Sequence, residues 1–505
     1  MSFRRAGRLA AMVAPIVLWM ACGQVYRPVV LPCSEGGLPG CPVEAPPAPA
    51  NFHAVFGISH NVPSYPGGAM QIDVGGDSII GETPSSDKSA PNLGDNPTHA
   101  AILPNKSQVF VASAGSLSPG GVDVVSAFTP AFQSSTATGL GAVTSIPLPV
   151  GSLPVFLNTT QSGFIYVANF GTNSVSAVNT TSNAVVNTAV VGTNPVALAE
   201  IPNGLKLYVA NQGSNSVSSL NTVDLSSNVV TGFTGIAPVW MVARSDSQKV
   251  YVLTQGDGKL VTIDTATDTV TSSLPVGAGV DFIFYDPNLN RLYVTNPVTS
   301  TVYVFSVSGG ANDTPLQLAA ISFASGSAPC PSGCLPTSVT ALPDGSRFYV
   351  ASYQMAASCP DPFVGASSAC VIPGLAVFNA NNFTLKTTLT LLTDPPFAAK
   401  LNTNQYQYAV PPVAACTSAA LYSPSTTRFR VFDTAAQDSS RVYVSMCDAG
   451  AIAVVNTTDN NANNPGSPSV ADTVVTDLPA AFSAGAIQSN GEPPNQNPIF
   501  LLTGQ

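Results

Sequence analysis

Between residues 160 and 306 the chain alternates apolar and polar positions in short runs and lacks the three-to-four spacing of an amphipathic helix. Ile165-Tyr166-Val167-Ala168-Asn169 returns as Leu207-Tyr208-Val209-Ala210-Asn211, as Val250-Tyr251-Val252-Leu253-Thr254 and as Leu292-Tyr293-Val294-Thr295-Asn296. From Val167 through Val209, Val252 and Val294 the steps are 42, 43 and 42 residues. Looser copies are Val109-Phe110-Val111-Ala112-Ser113, Phe348-Tyr349-Val350-Ala351-Ser352 and Val442-Tyr443-Val444-Ser445. Alternation with period two puts every second side chain on one face of a pleated strand. A fixed period of about 40 to 45 residues rich in strand formers predicts propeller blades.

The flanks repeat as well. A turn such as Pro202-Asn203-Gly204 or Pro343-Asp344-Gly345 precedes the copy, with Pro fixing φ and Gly or Asn accepting positive φ. A third, alternating strand follows (Ser174 to Val178, Ser216 to Leu220, Lys259 to Ile263), and then a fourth, such as Thr269 to Leu274. One such sheet leaves apolar faces in water, and a closed ring of sheets covers them.

These motifs resemble the YVTN family of β-propeller repeats, found in bacterial and archaeal surface proteins. Strict copies cover about residues 160 to 306 and looser ones run from about 70 to the end. The resemblance implies an all-β propeller of four-stranded antiparallel blades, usually seven. Here Ile499-Phe500-Leu501-Leu502-Thr503-Gly504 reads as an eighth second strand, and Met70 to Ile80 as a third and fourth strand lacking their first two. Terminal segments sharing one blade favour eight; seven follows if either is only a flap.

Three regions result: a signal peptide over 1–21, a tether over 22–50 and the propeller over 51–505. Arg4, Arg5 and Arg8 precede the apolar stretch Leu9 to Met20, too short to span a bilayer. Ala21-Cys22-Gly23, with Leu18 upstream, resembles a bacterial lipobox, which implies lipidation of Cys22. Trp19 stands where Leu usually does, so ordinary signal-peptidase cleavage is the alternative. Gly23 and Gln24 lack the aspartate that retains many lipoproteins in the inner membrane, which points to the outer membrane. The Pro-rich run Glu44 to Pro49 is expected to be an extended spacer.

Composition narrows the function. Charged residues are 9% of the chain, and 17 basic against 27 acidic residues give a net charge of −10. With no basic cluster beyond the first eight residues, binding to nucleic acid is disfavoured. The 9 cysteines leave an even set once Cys22 is set aside. Proximity suggests Cys33 with Cys41, Cys330 with Cys334, Cys359 with Cys370 and Cys416 with Cys447.

In blades with strands A to D, the B-to-C and D-to-A connections share one face. Insertions at 324–336, 353–373 and 391–428 all fall there, and loops of that length in compact folds are usually functional or disordered. That face is expected to bind a protein or glycan partner, with Asn169, Phe170, Asn211, Gln212 and Tyr353 at B-to-C tips.

Catalysis is not expected. The chain has only His53, His60 and His99, and no His-Glu-x-x-His, Gly-x-Ser-x-Gly or Gly-x-x-x-x-Gly-Lys motif. No metal or cofactor is expected, and Asp286-Pro287-Asn288-Leu289-Asn290 reads as a turn. The rivals are a surface spacer without a ligand and a lactonase-like hydrolase acting in the central funnel. For the latter, Arg244, Arg291 and Arg347 read as surface turn residues, leaving Asp281 to face the funnel. A monomer is expected, since ring closure removes free sheet edges.

Overall fold

The computed structural model describes residues 54–60, 67–75, 77–83, 92–131, 140–159, 163–307, 314–357, 370–391, 416, 429–458, 471–479 and 497–503. Among them 32 strands form eight antiparallel four-stranded sheets, the blades of a propeller. The first strands form the inner circuit: β4 (Pro97–Ile102), β8 (Pro154–Thr159), β12 (Pro195–Glu200), β16 (Pro238–Ala243), β20 (Phe282–Asp286), β24 (Leu335–Ala341), β28 (Val431–Ala435) and β32 (Pro498–Thr503). Each packs against the next around the ring.

The closing blade departs from the expected division. Its sheet order is β32, β1 (Ala54–Ser59), β2 (Gly68–Asp73) and β3 (Ser78–Glu82). The C-terminal segment is therefore the innermost strand, not the second, and the N-terminal segment supplies three strands. Ala54–Ser59 carries no Tyr-Val signature, yet it is buried throughout and pairs on both sides, Phe56 opposite Gln71 and Leu502. Gly57 marks the close approach of the neighbouring blade, since a Cβ there would lie 2.6 Å from Ile452 Cδ1.

Proline has a fixed place in this pattern. Pro97, Pro154, Pro195, Pro238 and Pro498 each open an inner strand, where only one side needs ladder donors. After Pro97, Pro154, Pro195, Pro238 and Pro336 the register shifts by a bulge before the third residue of the repeat. Bulges bend the strand and re-aim the side chain that follows.

The second strands bury Tyr166, Tyr208, Tyr251, Tyr293, Tyr349 and Tyr443 completely. A basic residue two positions before several of these reaches the next blade. Lys206 Nζ lies 2.9 Å from Asp268 Oδ2, Arg347 Nη1 2.6 Å from Asp472 Oδ1, and Arg441 grips Asp77 through Nε and Nη2 at 2.8 and 2.9 Å. Arg291 donates to the Ala380 carbonyl and stacks 5.1 Å from the Phe383 ring. Asp77, Asp268, Phe383 and Asp472 share one conformation, with φ of 49°, 52°, 60° and 59°, in the C-to-D turn of their blades. A left-handed residue there turns its side chain back toward the preceding blade. Tyr208 and Tyr349 donate to the same carboxylates.

Arg291 and Arg347 are thus seam clamps and not solvated turn residues. Arg244 is buried too, with Nε 2.9 Å from Asp246 Oδ1 and Nη1 3.2 Å from the Tyr251 hydroxyl. Ring closure covers blade faces: among the described residues the outermost strand of each sheet has a ladder partner on one side only, with Thr231 adding an isolated bridge to Thr269.

Asp472→Ala strips the acceptor from both Arg347 and Tyr349, and breaking a mostly buried pair in this way costs roughly 3 kcal/mol. Equilibrium denaturation is expected to report a loss of that order; an unchanged midpoint would remove the clamp from the account.

Candidate functional site

The central channel is where a propeller places small-molecule chemistry, so its walls come first. The third repeat position of the inner strands holds His99, Phe156, Ala197, Trp240, Phe282, Ser338, Phe432 and Phe500. Six of these are rings, and they touch in a closed circuit. Centroid separations are 4.0 Å for His99 to Phe156, 5.1 Å for Phe156 to Trp240, 5.2 Å for Trp240 to Phe282 and 5.6 Å for Phe282 to Phe432. Phe432 to Phe500 at 4.8 Å and Phe500 to His99 at 4.4 Å complete it. Contacts that skip a blade, past Ala197 and past Ser338, are possible only across the axis. The rings are between 5% and 7% exposed, so the channel is packed shut.

Polar groups in this wall serve the packing. His99 Nδ1 accepts the Leu157 amide at 3.3 Å, and its ring stacks on Phe156. Ser338 Oγ donates to Asp433 Oδ1 at 2.5 Å and accepts the Asp433 amide at 2.9 Å. Burial pushes the Asp433 carboxyl up to about 7. Asp281 is buried beside Phe282, its amide bonded to the Thr295 carbonyl at 3.1 Å. Glu200, at the A-to-B end of its inner strand, is raised to about 7 by burial. Asp286 accepts the amides of Asn288 and Leu289, as a turn does.

The described residues contain no cluster of three or more His, Cys, Asp or Glu side chains able to hold a metal. His60 is pushed down to about 4 by burial, and His53 lies outside the described residues.

The B-to-C and D-to-A face is different in kind. Cys330 and Cys334 are bonded within the connection from β23 (Leu316–Ser322) to β24. Cys416, from the 391–428 insertion, is bonded to Cys447 in the B-to-C turn of the eighth blade. Asn497 Nδ2 donates to the Cys447 carbonyl at 2.8 Å and so ties this staple to the closing strand. The described ends of the insertion at 353–373 form a ladder. Strands β25 (Arg347–Ala356) and β26 (Cys370–Asn379) each run ten residues and pair as far as Ala356 opposite Cys370. Cys22, Cys33, Cys41 and Cys359 lie outside the described residues, as do the proposed bonds to Cys41 and Cys370 that involve them.

The tip residues named from the sequence are used internally. Asn169 Nδ2 donates to Ser174 and Ser176 Oγ at 3.1 and 2.8 Å, and Asn211 Nδ2 to Ser216 and Ser218 at 3.2 and 3.0 Å. Both asparagines and Gln212 are buried, and Phe170 packs on the core. Tyr353 lies under the Arg430 guanidinium, 5.3 Å from its ring centre, while Arg430 Nη1 pairs with Asp448 at 2.7 Å. Beside exposed polar turn residues such as Thr172 and Ser214, this face shows water the large apolar side chains of Leu117, Val122, Val150 (98% exposed), Ile236, Val298 and Met355 (47%). Single aliphatic residues inside Gly- and Pro-rich turns were the available signal. A shallow depression between the seventh and eighth blades is lined by Val371, Pro373, Arg430, Met446 and Asp448 among others and is open to solvent.

No family model matches this chain, and no curated protein matches it. Among solved structures it is similar to the periplasmic gluconolactonase of Pseudomonas aeruginosa, at 13% identity and TM-score 0.48, over 67% of this chain and 96% of that one. It is similar to hydrazine synthase of Kuenenia stuttgartiensis, at 15% identity and TM-score 0.45, over 66% and 89%. It is also similar to virginiamycin B lyase of Staphylococcus aureus, at 14% identity and TM-score 0.41, over 59% and 85%. The activities in those names stay with those proteins.

Two substitutions probe the channel wall. Trp240→Ala removes the ring that touches three others and is expected to cost 3 to 5 kcal/mol, about the range for emptying a large aromatic site. Asp433 tests the pH dependence. Its folded value of about 7 lies above the ordinary 3.8, so the unfolded chain releases its proton first as pH rises. Stability should therefore fall between about pH 4 and 7, by up to about 1.4 kcal/mol per unit, and level off above. Asp433→Asn should flatten that fall, read by denaturation at stepped pH; an identical slope in the variant rules the assignment out.

Proposed function

We propose that this chain is a non-catalytic lipoprotein of the bacterial cell envelope, a propeller scaffold of YVTN type that binds a protein or glycan partner through its B-to-C and D-to-A face. The observation that carries the reading is the contrast between the two places a propeller offers for function. The axis is filled by six touching rings, whereas one face carries both described disulfides, the extended ladder and most of the exposed aliphatic loop residues. Pockets that bury a small ligand hold roughly 300 to 1,000 Å³, and the depression at the seventh blade is too shallow to enclose one. Disulfide-braced loops lose less entropy on engagement than free ones, which suits them to binding.

Strand direction supports the placement. Ala54 begins a second strand and Thr503 ends a first strand, so both lie at the A-to-B side of the ring. A tether over 22–50 anchored at Cys22 joins the body on the side away from the built-up face. Glu200, the half-buried acid with a value near 7 at that opposite mouth, is the observation that favours a hydrolase as the second reading.

The test is capture from the native envelope by the mature chain and by a variant with 353–373 and 391–428 cut to short turns and Cys447→Ser. A partner held by the first and lost by the second, with both equally folded, is the expected result. Equal capture by both, or capture by neither, would overturn the assignment of the face; lactone hydrolysis abolished by Glu200→Gln would favour the second reading.

A further inference from the structure

Asn497 holds the closing strand of the ring from two sides. Its carbonyl accepts the amide of His60, the residue after β1, at 2.7 Å. Its side-chain Nδ2 donates to the Cys447 carbonyl at 2.8 Å and sits 4.0 Å from Cys416 Sγ. Asn497 directly precedes β32, which pairs with β1 and packs against β28 and β4 of the flanking blades. One residue therefore joins the closing blade to the Cys416–Cys447 bond of the eighth.

Both cysteines of that bond are fully buried, in the apolar cluster that also contains Phe429, Phe432, Ile499 and Phe500. Thiol–disulfide exchange begins with a thiolate reaching one of the two sulfurs. With β32 in place, Asn497 stands against Cys416 Sγ and both cysteines are shut from solvent. Departure of β32 breaks one ladder, that with β1, and leaves the other seven sheets paired, and local openings of this kind cost less than global unfolding. The second bond differs: Cys334 is only half-buried, and Cys330–Cys334 spans four positions within a single connection. Cys416–Cys447 spans 31 and ties the approach to the eighth blade to its B-to-C turn.

We propose that the Cys416–Cys447 bond is a redox lock on ring closure: a dithiol reaches it only while β32 is detached, and once the bond is reduced the strand detaches more readily. In the exchange a thiolate of the dithiol attacks one sulfur, and its second thiol resolves the mixed disulfide. Two electrons and two protons pass to Cys416 and Cys447 as the dithiol becomes a disulfide. Whatever holds β32 thus also protects the bond, and the lock is independent of what the loop face binds.

The test reduces the full, folded chain with dithiothreitol, traps free thiols by alkylation and follows the two bonds separately by peptide mass spectrometry. Cys330–Cys334 is expected to open first. Leu501→Ala weakens β32 while keeping Asn497 and both cysteines, and should speed reduction of Cys416–Cys447 about tenfold or more with the Cys330–Cys334 rate unchanged. Leu260→Ala, an equally buried leucine in β18 (Lys259–Asp264) of the fifth blade, should change neither rate. If Leu501→Ala does not fold, Asn497→Ala, which removes only the side-chain clasp, is expected to give the same acceleration. In Cys416→Ala/Cys447→Ala, amide hydrogen exchange in β32 and β1 should quicken about tenfold while β18 keeps its rate. Equal reduction rates for the two bonds overturn the proposal. So does a Cys416–Cys447 rate that the two leucine variants raise alike, or unchanged exchange in β32 once the bond is gone.

Discussion

Eight inner strands set around one axis leave an opening that backbone alone does not fill, and the closure of that opening governs the rest of the molecule. Six aromatic side chains from six blades meet there, with Ala197 and Ser338 small enough to let rings from flanking blades touch past them. Aromatic pairs at these separations add to simple burial. A bulge after the leading proline precedes His99, Phe156 and Trp240 in the circuit, whereas Phe282 and Phe432 reach it from ladders without a register shift.

The scarcity of charge in this chain makes its placement informative. Lys206, Arg347 and Arg441 each span a seam to a carboxylate of the next blade, and Arg291 does so to a carbonyl and a ring. Arg441 with Asp77 bridges the joint at which the N-terminal strands meet the rest of the ring. Pairs with this little exposure contribute through the high cost of breaking them rather than through a large net gain. Hydrogen bonds such as those of Ser338 with Asp433 and of Thr98 with the Pro154 carbonyl cross the seams as well, so polar contacts fix which blades meet and in what register while burial supplies most of the cohesion.

The one-sidedness of the molecule follows from parity. Because every blade has four antiparallel strands, each D-to-A and B-to-C connection returns to the same face, and insertions made there accumulate on one surface. The Cys416–Cys447 bond and Asn497 then join loops of the eighth blade to the closing strand, so the built-up face and the ring closure reinforce each other.

The Tyr-Val repeats, their period and the parity of the strands were legible along the chain because they rest on local alternation and on turn residues, and they led to the propeller and to eight blades; proximity along the chain suggested the bonded pairs Cys330–Cys334 and Cys416–Cys447. The closing blade was only half legible: Ala54–Ser59 is a second strand without the signature, recognisable only from its pairing on both sides. Asn169 and Asn211 looked like displayed amides because the sequence marks them as turn residues, yet their hydrogen bonds run to serines five and seven residues on, on the next strand of the same hairpin, and are set by its register. Arg347 looked solvated because its acceptor, Asp472, belongs to the following blade. His99, Phe156 and Trp240 carry a visible Pro-x-ring pattern, but nothing local says that rings from different blades converge. Local sequence determined the elements and the face on which each connection falls; which side chains meet across seams and across the axis was decided only when the ring closed, because those contacts join residues that share no turn, strand or hairpin.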